Sequence, residues 1–261
     1  MFRRILCVIL CLSIGPIHAE TTWSAESLDA LTTDQEALPD PDPVNFLVKC
    51  TERYKDDHIK NYRSILLKQE TIDKKLQPRE EIEFLYRDQP YSVFMHWLKG
   101  QRKADTALYV RGENSDQLLI HPAGLAGALV KVVARDPEGS DARQAGRYSM
   151  KETGLLKGIE LSLNAWRAAK EAGTLHVRYL GVRNLREAGD RPCYTMRRTY
   201  EKPDEEGVSE VTLYIDKQTW FQIGAVLKDS ENRLIGEYIF KDIQLNAPLK
   251  DNQFTRAAVA P

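Results

Sequence analysis

EIEFLYRDQPYSVFMHWL, residues 81–98, holds two alternating runs and the turn between them. Ile82, Phe84 and Tyr86 recur at every second position, with Glu81, Glu83 and Arg87 on the opposite phase. Successive side chains of a strand point to opposite faces, so this pattern is a half-buried strand. Asp88-Gln89-Pro90 breaks it. Tyr91, Val93, Met95 and Trp97 then share one face of a second strand. Ser92, Phe94, His96 and Leu98 form its other face, so both faces are partly apolar. Two such runs joined by a short turn read as an antiparallel hairpin.

Working outward, the same signal repeats. Tyr62–Ile72 precedes the hairpin across Gln77-Pro78, and Thr106–Val110 and Gln117–His121 follow it around Gly112-Glu113-Asn114. Strand patterns resume at Thr174–Arg183, Cys193–Tyr200, Glu210–Ile215, Trp220–Leu227 and Arg233–Leu245, joined by turn-like links. Two segments have helical period instead. Leu47, Cys50, Tyr54 and His58 recur at three- and four-residue intervals over 44–60, with Asp42 placed to cap and Pro43 at the first helical position. Leu156, Ile159, Leu163 and Trp166 give 155–172 an apolar stripe that Gly173 closes. The expected fold class is α+β: about ten strands in one large curved antiparallel sheet, a half-barrel, with two main helices covering its concave face. Residues 44–261 form that single domain.

The chain of 261 residues opens differently. Arg3 and Arg4 precede an apolar run, Ile5–Ile14, which Gly15-Pro16 ends before Ile17-His18-Ala19. Ten apolar residues fall short of the roughly 20 that span a bilayer. Residues 1–19 therefore read as a cleavable signal peptide, and the expected location is periplasmic or otherwise extracytoplasmic. Cys11 follows Val8-Ile9-Leu10, without the small residues a lipoprotein signal needs. Residues 20–43, rich in acid and ending in Pro39-Asp40-Pro41-Asp42-Pro43, read as a disordered leader.

Composition excludes some chemistry. There are 37 basic and 38 acidic residues, a net charge of −1, which gives no general attraction for nucleic acid. After the signal peptide two cysteines remain, Cys50 and Cys193. An oxidising compartment permits a disulfide between them, worth about 4–5 kcal/mol through its long loop, and two separate buried thiols are the alternative. Histidines are scattered and no Cys-x-x-Cys occurs, so no metal site is expected. No Gly-x-Ser-x-Gly elbow or Gly-rich phosphate loop is present, so no catalytic residue and no cofactor is assigned. Arg191, Arg197 and Arg198 form a basic cluster that fits either a lipid phosphate or a solvated strand face paired with Glu210.

The segments Tyr91–Trp97, Leu108–Gly112, Leu118–Pro122, Arg191–Tyr194 and Leu249–Phe254 resemble those of an exported bacterial family catalogued as a domain of unknown function. The predicted architecture also resembles the periplasmic lipoprotein carriers and acceptors of LolA and LolB type. That resemblance implies a half-barrel around an apolar cavity and the handling of lipid or acylated protein. On alternation alone, Ile82, Phe84, Tyr86, Val93, Met95 and Trp97 make a filled core; the resemblance implies a cavity floor instead. The apolar segment 123–134 is then the candidate lid, with Gly124, Leu125, Gly127 and Leu129 its bendable and apolar positions, and a short buried helix is the alternative. The expected function is non-enzymatic binding or carriage of a lipid or acylated lipoprotein, with transient membrane contact. An envelope interaction or sensor module, and a hydrolase whose site assembles only in three dimensions, are the alternatives.

Overall fold

The computed structural model describes residues 36–101 and 103–260. The expected signal peptide, and the leader as far as Gln35, lie outside the described residues. The order is α1 (Pro43–Asp56), β1 (Asn61–Ile72), β2 (Lys75–Leu76), β3 (Glu80–Arg87), β4 (Ser92–Lys99), β5 (Ala104–Val110), β6 (Leu118–Pro122), α2 (Leu125–Leu129), β7 (Val133–Arg135), α3 (Ser140–Ala145), α4 (Leu155–Glu171), β8 (His176–Leu185), β9 (Arg191–Thr199), β10 (Glu210–Asp216), β11 (Gln222–Lys228), β12 (Leu234–Leu245) and α5 (Arg256–Val259). The fold is α+β, with one open antiparallel sheet of twelve strands.

Two meanders make that sheet. Its order is β7-β6-β5-β4-β3-β1-β12-β11-β10-β9-β8, with β2 paired to β1 off this path. The first and last long strands, β1 and β12, join the halves at the centre. The chain leaves the first meander at one edge, β7, and begins the second at the other, β8. Residues 136–175 must therefore cross the sheet, and α3 and α4 lie in that crossover.

The expected hairpin is present, with Ile82, Phe84 and Tyr86 opposite Trp97, Met95 and Val93. The apolar residues on its other face have a partner too. Leu85, Phe94, Leu108 and Leu119 pack against Phe254 and Val259 at the end of the chain. This half of the sheet is buried on both faces, the physical reason β4 is apolar on both.

The two main helices pack elsewhere. Phe46, Leu47 and Cys50 of α1 and Ile159, Leu163 and Trp166 of α4 form one core with Tyr194, Met196, Leu213 and Ile215 of β9 and β10. Gly154 (φ 134°) opens α4, where an added Cβ would lie 2.9 Å from the Tyr62 hydroxyl; the Leu155 amide donates to that oxygen at 2.9 Å. The helix thus begins against the central strand.

Part of the predicted leader is ordered. Tyr179 donates through its hydroxyl to the Glu36 carbonyl at 2.9 Å, Lys217 pairs with the Glu36 carboxylate, and Leu38 packs on the helix core. Tyr179 of β8, Tyr194 of β9 (which donates to the Glu36 carboxylate at 3.2 Å) and Lys217 just after β10 hold a segment whose composition alone reads as unstructured. Asp42 caps α1, accepting from the Val44 amide at 2.8 Å and the Asn45 amide at 3.3 Å, and pairs with Lys170 of α4. Asp42→Ala is expected to lower stability by about 1 kcal/mol in urea denaturation. An unchanged midpoint would mean that the cap is not needed to start the helix.

Cys50 and Cys193 are both buried and unbonded, in separate cores, which corrects the disulfide alternative. Burial pushes each thiol up to about 12. Both are expected to resist alkylation in the native protein and to react fully in denaturant without reductant. Mass spectrometry showing alkylation only after reduction would contradict this.

Candidate functional site

Facing rows of side chains, read across the inner face of the sheet, show where the site lies. One row runs Ile120, Ala107, Met95 and Phe84 through β6, β5, β4 and β3. The next runs Trp97, Ile82, Leu66 and Phe240 through β4, β3, β1 and β12. The third contains charge: Glu80, Lys68 and Tyr238.

Two cavities lie along this face. The larger, about 390 Å³, is walled by Leu66, Met95, Trp97, Ala107 and Ile120 of the sheet and by Ala142 and Met150 of the crossover. The smaller, about 300 Å³, lies between Leu161, Ala165 and Trp166 of α4 and Leu213, Ala225 and Phe240 of the second meander. Both touch Leu66, Tyr148, Thr153 and Tyr238. Tyr148 from the crossover meets Tyr238 from β12 edge to face, with ring centroids 5.3 Å apart, and the two rings divide the spaces. Both volumes fall within the range of small-molecule pockets.

The larger cavity has a polar end. Lys68 and Glu70 continue the phase of Tyr62, Ser64 and Leu66 along β1, so they point inward. Glu70 is 2% exposed, Glu80 is nearly as buried, and Lys68 is partly buried. Lys68 Nζ lies 2.8 Å from Glu80 and 3.6 Å from Glu70. The Tyr238 hydroxyl donates to Glu70 at 2.7 Å, and the Arg147 amide at 3.2 Å. Burial, with the Glu70 carboxylate beside it, holds the Tyr238 hydroxyl well above its ordinary value, so it remains a donor. Gly236 makes room for this contact, since a Cβ there would lie 2.9 Å from the Tyr238 oxygen. Strongly polar side chains on an inward face are costly to bury unless paired, and their convergence in the wall of an apolar cavity marks a candidate site.

The predicted floor divides. Met95 and Trp97 line the larger cavity. Ile82, Phe84, Tyr86 and Val93 do not: they are buried in the main core, where Phe84 meets Phe240 and Tyr86 stacks on Tyr62. These four lie in a filled core, because the rings of Tyr62 from β1 and Phe240 from β12 pack beside them on the same face of the sheet.

The predicted lid also changes. None of Gly124, Leu125, Gly127 and Leu129 lines either cavity. Leu125 and Leu129 are 88% and 87% exposed, so α2 is not a buried helix either. Gly124 does adopt positive φ, 64°. Gly127 permits close approach: a Cβ there would lie 2.1 Å from the Pro122 carbonyl oxygen. The helix is pressed onto the end of β6, beside Pro122, which lines the larger cavity.

The basic cluster is spoken for. Arg191 donates to Asp216 at 2.9 and 2.8 Å, Arg197 lies 3.5 Å from Glu210, and Arg198 donates to the Ala165 carbonyl and stacks over Tyr200. Among the described residues no group of three or more His, Cys, Asp or Glu is placed to hold a metal ion. His58, His96, His121 and His176 line neither cavity. No helix of the described residues is long and apolar enough to cross a membrane.

The family model described as "Protein of unknown function (DUF1571)" matches residues 59–259. The chain belongs to the DUF1571 family. That span takes in the whole sheet and both cavities but leaves out α1. No curated protein matches this DUF1571 chain. Among solved structures, the MucA/MucB complex of Pseudomonas aeruginosa aligns over 84% of this chain and 62% of that one, at 14% identity and a TM-score of 0.48. The Mycobacterium tuberculosis lipoprotein LppX aligns over 80% and 99%, at 10% identity and a TM-score of 0.43. A LolA superfamily protein from Nitrosomonas europaea aligns over 81% and 98%, at 10% identity and a TM-score of 0.36. The chain spans less than two thirds of the MucB-containing match, so that likeness is to part of it.

Proposed function

We propose that this protein is an extracytoplasmic, non-enzymatic binder or carrier of an acyl chain, presented by a lipid or an acylated protein and held in the larger cavity. The observation that carries the reading is the cavity itself: about 390 Å³ of space with an apolar wall of Leu66, Met95, Trp97, Ala107 and Ile120, with Lys68, Glu70 and Glu80 grouped together and the exposed Lys103, Arg135 and Asp141 also in its lining. That combination is the usual form of a small-molecule site. Each buried methylene contributes about 0.8 kcal/mol, so a fourteen-carbon chain gains roughly 10 kcal/mol on leaving water. Met95 suits such a lining, because its unbranched thioether adapts to the shape of a flexible chain. Export through the signal peptide places the protein where lipid must cross an aqueous space. The exposed Leu125 and Leu129 of α2 form an apolar rim that an incoming chain or a membrane surface meets first.

Native mass spectrometry of protein purified from the envelope, followed by lipid extraction, tests the reading. Stoichiometric lipid is expected, and Ala142→Trp, which fills the cavity from α3, is expected to lower its occupancy at least tenfold. Lipid-free protein that also fails to bind a twelve-carbon alcohol would sink the proposal.

A further inference from the structure

The polar end of the larger cavity contains an unmatched acceptor. Glu70 Oε1 accepts from Tyr238 and from the Arg147 amide. Its other oxygen, Oε2, is buried and has no hydrogen-bond donor. Lys68 does not supply one: its ammonium sits at hydrogen-bond distance from Glu80, 2.8 Å, and stands 3.6 Å from Glu70 Oε2. Leaving a buried acceptor unsatisfied is unfavourable, and more so when it is charged. Glu70 is one of the residues that wall the cavity, in phase with Leu66 on the same strand.

We propose that the larger cavity selects an amphiphile with a cationic, hydrogen-donating head, an alkylammonium, whose N–H meets Glu70 Oε2 while its chain lies against Met95, Trp97 and Ile120. The proposal rests on the acyl-chain reading above and narrows it to a head-group class. A hydrogen bond between ionised partners is roughly twice as strong as a neutral one, so an ammonium outranks a hydroxyl. At the Glu70 end a carboxylate head meets two acidic groups, Glu70 and Glu80, and a Lys68 ammonium already paired with Glu80; the cavity's other cations are Lys103 and Arg135, the latter paired with Asp141 at 3.2 Å.

Isothermal titration of the full chain with four twelve-carbon probes, each below its micelle concentration, tests the assignment. The probes are dodecylammonium, dodecyltrimethylammonium, dodecanol and dodecanoate. Dodecylammonium is expected to bind at least tenfold more tightly than dodecanoate. The trimethyl probe, charged but without an N–H, is expected to lose most of that advantage. Glu70→Gln, close to isosteric, is expected to weaken dodecylammonium tenfold or more and to leave dodecanol within about threefold. Glu70→Asp, which withdraws the carboxylate by one methylene, is expected to act in the same direction and serves if the Gln variant does not fold. Dodecanoate binding as tightly as dodecylammonium, or a preference that survives both substitutions, overturns the head-group assignment. Dodecanol binding in that case leaves the apolar cavity standing. Failure of all four probes overturns both.

Discussion

Phe84→Ala is expected to cost about 3–5 kcal/mol of unfolding free energy, the usual loss when a fully buried aromatic ring is truncated. Phe84 has no exposed surface, meets Phe240 at 5.3 Å and Tyr62 at 5.9 Å between centroids, and faces Met95 and Ser64 on the neighbouring strands. In a domain of this size the loss lowers the melting temperature by roughly 10 °C. Trp97→Ala supplies the contrast. Trp97 is half-buried on the cavity wall, so truncation enlarges an existing space and does not open a new one. Its expected cost is about 1 kcal/mol, together with weaker binding of an apolar probe. Urea denaturation with a common m-value compares the two variants directly. A Phe84→Ala loss below about 1.5 kcal/mol would mean that Phe84 also faces a hollow, and would restore the wider cavity floor.

Arg191→Ala is expected to destabilise the protein by about 3 kcal/mol at neutral pH, because it strands a buried carboxylate. Asp216 is fully buried and accepts two bonds from Arg191, one from the Thr219 amide and one from the Thr219 hydroxyl. Burial by itself raises the Asp216 carboxyl; the bonds from Arg191 and Thr219 outweigh it and hold the group below its ordinary range. Arg191 is partly exposed, which keeps the expected loss at the lower end for a broken buried pair. The sign of the pH dependence follows from the lowered value. The contribution is fully present above the unfolded carboxyl value, about 3.9, and is lost as pH falls through the folded one. The gap between wild type and Arg191→Ala is therefore expected to be wide at pH 7 and narrower at pH 3. A gap that is equal at both pH values would show that Arg191 acts through packing and not through its charge.

These two residues also show how far local reading reaches. Alternation at Ile82, Phe84 and Tyr86 correctly identifies one face of β3, because the period of two belongs to the strand's own backbone. It does not say what stands opposite that face. Against Phe84 and Tyr86 pack the rings of Tyr62 and Phe240 on the same face and Gly154 at the start of α4; across from Met95 and Trp97 is the crossover, with space between. Those partners lie far off in the chain, so one pattern covers both a filled core and a cavity wall. In the arginine cluster the pairing of Arg197 with Glu210 follows the strand-face expectation, whereas Asp216, the partner of Arg191, lies beyond the reach of any local pattern. Lys68 and Glu70 are different. They fall in phase with Tyr62 and Leu66, and two charged residues on the inward phase of a strand are a legible sign of a polar site.

Short elements were the remaining gap. The ten long strands and both long helices are visible in the residue order, since each carries several repeats of its period. The two-residue β2 and three-residue β7 do not complete enough alternation to stand out, and α2, α3 and α5 span less than two turns each. The sequence by itself therefore determined the class of fold, two antiparallel meanders separated by a helical crossover. Only the tertiary structure decided the sheet order that joins β1 to β12, the division of the inner face into two cavities by Tyr148 and Tyr238, and the unmatched oxygen of Glu70. Strand period is a local property of the chain, whereas a cavity is the space left between segments that meet only after folding.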